Sequence, residues 1–241
     1  GRAMKQAIII FTRVPVPGRT KTRLMPFLTG EECAGLHKGF ILDTYEACRH
    51  AGTDLLLFYT PEDKKEILKE MIGGCPIFLP QSGDDLGERM KNAFGIAFRL
   101  GYGKALLVGT DIPQITTDIL RKALKDLDEY DIVIHPTIDG GYYLIGMTRE
   151  HEEVWQIEHY GTNTVIHNTL KQLKAEGLRT KVGQVCRDID TKEDLMALYN
   201  ELENLPMKNV PLHTGYYLKK ELKEKLEYAN RRGGCVQYEC G

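Results

Sequence analysis

Short apolar runs alternate with segments of helical spacing along the first half of the chain. The runs are AIIIF (7–11), LLLFY (55–59), CPIFL (75–79), ALLVG (105–109) and DIVIH (131–135). Each run has the length of a strand, and most are apolar throughout, as in strands that are covered on both faces of a sheet. Apolar residues recur every three or four positions in the intervening segments 31–50, 62–72, 86–100 and 116–129. This alternation predicts an α/β fold with a mostly parallel, doubly wound sheet flanked by helices.

The second half departs from this rhythm. Asp139-Gly140-Gly141 lies between two β-prone runs in HPTIDGGYYLIGM (135–147), which predicts an antiparallel ribbon or a sharp bend. The remaining predicted elements are a helix over 163–176, a short strand over 178–186, a helix over 191–203 and a last helix over about 215–230. We find no internal repeat and expect one mixed α/β domain over 4–204, followed by a C-terminal helical extension over 205–241.

Composition excludes several classes of protein. No apolar stretch approaches the roughly 18 residues that span a bilayer, and no secretory pattern stands at the N-terminus, so we expect a cytoplasmic protein without a membrane span. The net charge of −2 does not indicate a nucleic-acid-binding surface. The six cysteines form no CxxC pair and are expected to be reduced; Cys235 and Cys240 alone lack the other ligands that zinc needs.

Cations are concentrated near the N-terminus. Residues 1–30 contain six Lys or Arg and no Asp or Glu, so the chain's net charge of −2 leaves −8 for the rest. Four of the six lie within residues 13–23, which we call the cationic loop; it follows the first predicted strand. The loop fits neither GxxxxGK[ST] nor GxGxxG. Charged side chains, rather than a wrapped main chain, would therefore bind phosphate here.

Within the cationic loop, Arg13, Lys21 and Arg23 supply the charge, while Gly18 permits the tight bend. Charge-assisted hydrogen bonds contribute roughly 1.5–3 kcal/mol each, so three such groups could hold a di- or triphosphate. A surface turn without a ligand is the alternative interpretation. We predict a nucleotide phosphate site.

Carboxylates follow two other extended segments. Asp111 comes directly after an apolar run, at the end of a strand where open α/β sheets bind ligands. Asp188 and Asp190 occupy alternate positions of DIDTKED, so both side chains point the same way. The alternative is helix capping, by Asp111 for the helix near residue 116 or by Asp190 for the helix at 191. Because magnesium is usually held by one or two carboxylates together with phosphate oxygens, these residues are candidate ligands.

Five blocks of this sequence resemble, in order, the nucleotide-diphospho-sugar transferase superfamily, which has the GT-A fold. They are RVPVPGRTKTRL after AIIIF, QSGDDLGERMKNAF (81–94), VGTDIPQI (108–115), DGGYYLIGM (139–147) and DIDTKEDL (188–195). The closest similarity is to an uncharacterised, glycosyltransferase-like bacterial group of the DUF2064 type, which is itself similar to phospholactate guanylyltransferases. The blocks span most of residues 7–200, and the tail beyond 205 is not covered.

The resemblance implies roles by position. A metal, Mg²⁺ or Mn²⁺, would be shared by Asp111 with Asp190 or Asp188, opposite Lys21 and Arg23. The loop with Gln81 and Gly87 would approach the nucleobase, although a plain strand-to-helix loop capped by Asp84 or Asp85 is the alternative. The ribbon would lie beside the acceptor or sugar, and its implied contacts are Asp139, Gly140, Gly141, Tyr142 and Thr162; His159 is assigned a surface role.

We therefore expect a Mg²⁺-dependent transferase that uses an activated nucleotide and a small-molecule acceptor. Glycosyl transfer from a nucleotide sugar is placed first. Nucleotidyl transfer from a nucleoside triphosphate is the alternative, because a triphosphate needs more positive charge near its end. A nucleotide-binding regulatory domain without turnover is the third hypothesis. Lys21, Arg23 and Asp111 are the expected catalytic residues, with Arg13, Gly18, Gln81 and Gly87 completing the nucleotide site.

Overall fold

A single mixed sheet organises the protein. The computed structural model describes residues 4–157 and 163–239, and only the backbone of residues 234–239. Within these ranges the strands are β1 (Gln6–Arg13), β2 (Asp54–Thr60), β3 (Ile77–Pro80), β4 (Lys104–Val108), β5 (Ile132–Pro136), β6 (Tyr142–Met147) and β7 (Thr180–Val182). Their order in the sheet is β3-β2-β1-β4-β6-β5-β7.

Parallel pairing joins β3, β2, β1 and β4, as the apolar runs predict. β6 is antiparallel to both neighbours, β4 and β5, so the predicted ribbon around the Asp-Gly-Gly turn is confirmed. As a consequence, the start of β6 lies at the same edge of the sheet as the carboxyl end of β4. The predicted α/β fold with a mostly parallel mixed sheet is therefore confirmed.

Helices cover both faces of the sheet. They are α1 (Gly30–Arg49), α2 (Lys65–Ile72), α3 (Leu86–Arg99), α4 (Thr117–Asp126), α5 (Val165–Ala175), α6 (Lys192–Glu203), α7 (Leu212–Tyr217) and α8 (Lys223–Glu239), with one π-helical stretch (Leu218–Leu222) joining the last two. The last helical segment is therefore longer than predicted at both ends, and it begins directly after Pro211. Among the described helices, none is long and apolar enough to cross a membrane.

Alternating residues of β1 divide the core into two layers. Ile8 and Ile10 face a cluster that includes residues of α1 and α4, whereas Ala7 and Ile9 face a cluster that includes residues of α3 and α5. All four are fully buried. Cys33, Cys48, Cys75 and Cys186 form no disulfide among the described residues, and their reduced state stays a prediction.

The C-terminal extension packs on α1. Leu218, Leu222 and Leu226 are buried in one cluster with Leu36 and Phe40 of α1. The backbone of α7 comes so close to α1 that a Cβ at Gly39 would lie 3.3 Å from the His213 carbonyl oxygen. The predicted division at residue 205 remains a prediction, but the extension shares a buried core with the preceding chain.

A buried carboxylate caps α7 from another helix. The two oxygens of Asp43, on α1, accept hydrogen bonds from the backbone N–H groups of His213 at 3.0 Å and Thr214 at 2.8 Å. Pro211, at the N-cap position, has no side-chain acceptor, so Asp43 takes the role of a capping residue. Asp43 therefore ties the extension to the first helix.

Replacing Asp43 by Ala is expected to lower the free energy of unfolding by about 2–4 kcal/mol, because two buried N–H groups lose a charged acceptor. Urea unfolding followed by circular dichroism measures this change. Glu46→Ala is the matched control, since Glu46 lies on the same helix and pairs with the exposed Arg49 only at the surface; about 0.5 kcal/mol is expected for it. Equal effects of the two substitutions would contradict the capping role.

Candidate functional site

A cleft of about 660 Å³ opens at the carboxyl ends of β1, β2, β3 and β4. The start of the antiparallel strand β6 closes its side. Five segments contribute to its lining: the cationic loop, the β3–α3 loop with the start of α3, the segment after β4, the start of β6 and the segment before α6. Their lining residues include Arg13, Lys21, Arg23, Gln81, Arg89, Gly109, Asp111, Tyr142 and Asp190. The sheet edge thus brings together five segments that are far apart in the sequence, as expected for a ligand site of an open α/β fold.

The ammonium of Lys21 lies between the candidate metal ligands. It donates hydrogen bonds to Asp111 Oδ1, to the Ile189 carbonyl oxygen at 2.7 Å and to Asp190 Oδ1 at 3.0 Å. Its side chain is only 4% exposed. All three ammonium protons are therefore used, and Lys21 occupies the centre of the carboxylates rather than approaching a metal from the opposite side, as the sequence analysis expected.

Lys21 also has an unusual backbone conformation. Its φ of 53° lies in the left-handed region, and no other non-glycine residue of the described ranges has a positive φ. Such a conformation costs on the order of 1 kcal/mol or more and persists only where the surroundings enforce it. Burial lowers the pKa of Lys21, but the charges and hydrogen bonds of Asp111 and Asp190 outweigh burial and raise the pKa above its usual value. The ammonium therefore stays charged.

Two guanidinium groups remain available for a ligand. Arg13 and Arg23 line the cleft with exposed side chains, and neither forms an ion pair with another residue of the described chain. A further cation, Arg89 of α3, also lines the cleft and donates from Nε to the Gly83 carbonyl oxygen at 3.0 Å. Sequence reasoning missed Arg89, although it stands in the GERM part of the second block. Among the residues that the structure describes, the cleft therefore offers an anion two cations without an ion pair, Arg13 and Arg23, and one anchored cation, Arg89.

Helix capping does not account for the candidate metal ligands. The N-cap of α4 is Thr116, whose side chain accepts from the Ile119 N–H, while Asp111 lies in the cleft with 45% of its side chain exposed. The N-cap of α6 is Thr191, which forms a capping box with Asp194. Asp111 and Asp190 are thus left for another role; among the described residues, two further carboxylates line the cleft, Asp84 and Asp85 of the β3–α3 loop.

Two more carboxylates come together with that of Asp190. One oxygen each from Asp139, Asp188 and Asp190 lies within 4.8 Å of the other two. Burial, followed by the hydrogen bond and charge of Asp190 and the charge of Asp139, raises the pKa of Asp188 to about 8. Oxygen donors crowded in this way match the ligand preference of Mg²⁺. These residues therefore fit a divalent cation. The acceptor contact that the resemblance implied for Asp139 stays a prediction.

The loop between β3 and α3 presents Gln81 in a fixed orientation. Its amide nitrogen donates to the Thr12 carbonyl at 3.1 Å and to the Phe58 carbonyl at 3.2 Å. Only its oxygen can therefore bind a ligand. Asp85 caps α3, as the alternative interpretation of this loop predicted.

Two glycines assigned to the nucleotide site do not line the cleft. Gly87 is buried in the first turn of α3, and Gly18 shapes the cationic loop through its φ of +81°. Gly18 therefore contributes to the turn of the cationic loop rather than to the cleft surface.

The ribbon residues divide between lining and packing. Tyr142 and Tyr143 both reach the cleft. Gly140 has a φ of +96°, and a Cβ there would lie 1.9 Å from the Asn163 carbonyl oxygen; it and Gly141 serve the turn and do not line the cleft. Two residues from the sequence analysis, Thr162 and His159, lie outside the described residues.

Comparison with known proteins agrees with this architecture. A family described as an uncharacterized protein conserved in bacteria (DUF2064) matches residues 42–162. A crystal structure from Desulfovibrio desulfuricans G20, provisionally named as a nucleotide-diphospho-sugar transferase, is 32% identical, has a TM-score of 0.87 and covers 94% of this chain and 98% of that chain.

More distant relatives carry names of nucleotidyltransferases. A 2-phospho-L-lactate guanylyltransferase from a Methanocaldococcus species (strain FS406-22) is 25% identical over 217 residues, 89% of this chain and 91% of the relative. A cytidylyltransferase structure from Leptospira borgpetersenii shares the fold, with a TM-score of 0.55, 18% identity and 98% coverage of both chains. The chain belongs to the bacterial DUF2064 family and has the GT-A fold of nucleotide-diphospho-sugar transferases.

Proposed function

We propose that this nucleotide-dependent transferase carries out Mg²⁺-dependent nucleotidyl transfer from a nucleoside triphosphate to a small-molecule acceptor. The observation that carries the proposal is the placement of Arg13 and Arg23, which form no ion pair within residues 4–157 and 163–233, in the same cleft as the Lys21–Asp111–Asp190 cluster. In the reaction an acceptor oxygen forms a bond to the α-phosphorus while the bond to the β-phosphate oxygen breaks. Pyrophosphate leaves with the negative charge that the cations offset.

Arg13 and Arg23 would bind the β- and γ-phosphates through charge-assisted hydrogen bonds. A triphosphate carries more negative charge at its end than a nucleotide sugar does, which is why two free guanidiniums favour the triphosphate. Lys21 would contribute positive charge where the carboxylates meet the phosphates. Phosphoryl chemistry of this kind requires no covalent nucleophile, because positioning and electrostatic stabilisation suffice.

Asp111 and Asp190 would hold Mg²⁺ at the cleft, with Asp188 and Asp139 next to Asp190. The ion would offset negative charge that develops on the phosphate being cleaved. Asp188 is thus proposed as a Mg²⁺ ligand, as in the sequence analysis, and Asp139 is proposed as an additional one.

The β3–α3 loop and the names of the relatives support a particular nucleobase and a class of acceptor substrate. Because Gln81 can offer only its amide oxygen, it would accept a hydrogen bond from a base that presents N–H donors, as guanine does at N1 and N2. This agrees with the guanylyltransferase name of the curated relatives. Their name also supports a small phosphorylated carboxylate as acceptor, beside Tyr142 at the start of β6.

Glycosyl transfer from a nucleotide-diphospho-sugar is the second candidate, and the sequence analysis placed it first. The provisional name of the 32% identical relative supports it. A nucleotide-diphospho-sugar would use the same metal and the same cationic loop. Its sugar would be transferred and a nucleoside diphosphate would leave, so the bond between the sugar carbon and the phosphate oxygen would break instead of a phosphorus–oxygen bond.

A product assay separates the two. The purified protein is incubated with Mg²⁺, each of the four nucleoside triphosphates or a panel of nucleotide sugars, and acceptors that include 2-phospho-L-lactate and other small phosphorylated carboxylates. Pyrophosphate and nucleoside diphosphate are quantified separately. We expect acceptor-dependent pyrophosphate release, highest with GTP. Release of nucleoside diphosphate from a nucleotide sugar, without pyrophosphate from any triphosphate, would overturn the proposal in favour of glycosyl transfer.

A further inference from the structure

A chain of four hydrogen bonds runs through the floor of the cleft. Thr20 Oγ1 lies 2.6 Å from His37 Nδ1, and His37 Nε2 lies 3.0 Å from Thr110 Oγ1. Thr110 Oγ1 lies 2.8 Å from Thr12 Oγ1, which donates to the Arg13 carbonyl oxygen at 2.9 Å. All four side chains are buried, with at most 4% of each residue exposed. We call this set the threonine–histidine chain.

With a neutral His37 ring, the Thr12 hydroxyl gives one direction to every bond in this chain. The single hydroxyl proton of Thr12 goes to a carbonyl oxygen, so Thr12 accepts from the Thr110 hydroxyl. Thr110 in turn can only accept from His37, which places the ring proton on Nε2. Nδ1 then carries a lone pair and accepts from the Thr20 hydroxyl. One neutral tautomer of His37, with its proton on Nε2, therefore satisfies both hydrogen bonds of the ring.

Electrostatics agree with the neutral ring. Burial, followed by the positive charge of Lys21, lowers the pKa of His37 well below its usual value; the opposing charge of Asp190 is the smaller influence, and Arg13 also lowers the pKa. Both ring nitrogens are engaged by hydroxyl groups, so His37 has no free position from which to exchange a proton with a ligand. A role as general acid or base does not fit this arrangement.

The two ends of the ring are bonded to the residues that precede Lys21 and Asp111. We propose that His37 is a positioning residue: through Thr20 and Thr110 it holds Lys21 and Asp111 in the geometry that nucleotidyl transfer needs. This inference rests on the proposed function. A rigid imidazole with a donor on one side and an acceptor on the other fixes the distance between the cationic loop and the end of β4.

The backbone of the cationic loop shows why such support is needed. Lys21 has the left-handed φ of 53°, directly after Thr20. Strained conformations persist only where neighbouring contacts over-determine them. His37 lies on α1, which is anchored in the core, so it supplies a fixed reference point for a loop that carries exposed residues on both sides of Thr20.

Steady-state kinetics test the positioning role. His37→Ala is expected to lower kcat by about 30- to 100-fold, because a misplacement of about 1 Å near the reacting groups can cost about 100-fold. The KM for the nucleotide is expected to stay within about threefold, since Arg13 and Arg23 do not contact His37. His151→Ala, which also removes a buried imidazole, but from outside the cleft, is the matched control and should keep kcat.

Coupling tests whether His37 acts through Thr110, and the pH profile separates a positioning role from acid–base catalysis. His37→Ala combined with Thr110→Val should cost no more than about threefold beyond His37→Ala alone, because both changes break the same chain. The shape of the kcat profile between pH 6 and 9 should be the same in wild type and His37→Ala. Loss of the rising or falling part of the kcat profile in His37→Ala would indicate acid–base catalysis and overturn the proposal. The proposal would also be overturned if the effects of the two substitutions on kcat multiplied fully, or if a folded His37→Ala protein kept its kcat.

Nitrogen NMR of ¹⁵N-histidine-labelled protein tests the chain without any enzymatic assay. His37 should show the Nε2–H tautomer and no titration between pH 5.5 and 8. Thr20→Val should change the ¹⁵N chemical shift of His37 Nδ1. Observation of the Nδ1–H tautomer or of a protonated ring at pH 7 would overturn the inference. Should no substrate be turned over while these NMR signatures are present, the proposed function fails and the hydrogen-bonded chain stands.

Discussion

Asp111→Asn is expected to abolish most metal-dependent transfer, with a fall in kcat/KM of about 1,000-fold at saturating Mg²⁺, or about 4 kcal/mol of transition-state stabilisation. The substitution keeps the shape of the side chain and removes the charge that would hold the cation. Lys21 would keep its bonds to Ile189 and Asp190, so the cleft should keep its form. Steady-state rates of pyrophosphate release, measured with the best nucleotide and acceptor, give the value.

Nucleotide affinity in the absence of Mg²⁺ should change by less than about threefold in Asp111→Asn, because Arg13 and Arg23 bind the phosphates independently of the metal. A regulatory domain without turnover predicts the same affinity but has no metal-dependent rate to lose. Asp118→Asn is the matched control: Asp118 is exposed in the first turn of α4 and does not line the cleft. A variant at Asp111 that keeps more than a tenth of wild-type activity would show that the cation is held elsewhere.

Local sequence patterns were sufficient for the fold. Five apolar runs predicted five strands, and the Asp-Gly-Gly turn predicted the ribbon that reverses β6, because both signals depend only on neighbours in sequence. The extent of the last helix was less well predicted. Its start is fixed by Asp43, which lies on α1 and 170 residues from His213, and such a cap leaves no mark in the local sequence.

The candidate site was predictable in part for the same reason. Arg13 ends β1, Lys21 and Arg23 lie in the loop after it, and Asp111 follows β4; the parallel pairing of β1 and β4 brings these ends to one edge of the sheet. Asp190 lies between β7 and α6 and was predicted from the alternation in DIDTKED. Their pairing was not predictable: nothing local shows that the ammonium of Lys21 would sit between the two carboxylates.

His37 was hidden from sequence reasoning. It lies inside a helix, at a position where the spacing of apolar residues alone predicts a buried core residue. Its proposed positioning role depends on three threonines, from β1, the cationic loop and the end of β4. Of these, Thr110 stands directly before Asp111 in the VGTDIP block and is the one signal that could have suggested a polar partner. A hydrogen-bonded chain across three segments can be recognised only after the fold places them together.

Lys21→Met is expected to raise the affinity of the protein alone for Mn²⁺ by about tenfold or more, while it lowers transfer by about 100- to 1,000-fold. Both effects follow from the same contacts. The ammonium neutralises Asp111 and Asp190 when no nucleotide is present, and a positive charge a few ångströms from a divalent cation costs several kcal/mol in a partly buried site. Removing it leaves the carboxylates free for the metal but takes away positive charge that the phosphates need.

The metal affinity is measured by titration calorimetry or by the electron paramagnetic resonance signal of free Mn²⁺, with no nucleotide present. Lys91→Met is the matched control, because Lys91 is exposed and pairs with Glu152 outside the cleft. Tighter Mn²⁺ binding by Lys21→Met would mean that the free protein holds its metal site closed with an internal cation. Nucleotide phosphates would then open it by offering the ammonium other acceptors, which couples metal binding to nucleotide binding. Weaker Mn²⁺ binding would instead mean that Lys21 holds the carboxylates in place, and competition between the ammonium and the metal would be excluded.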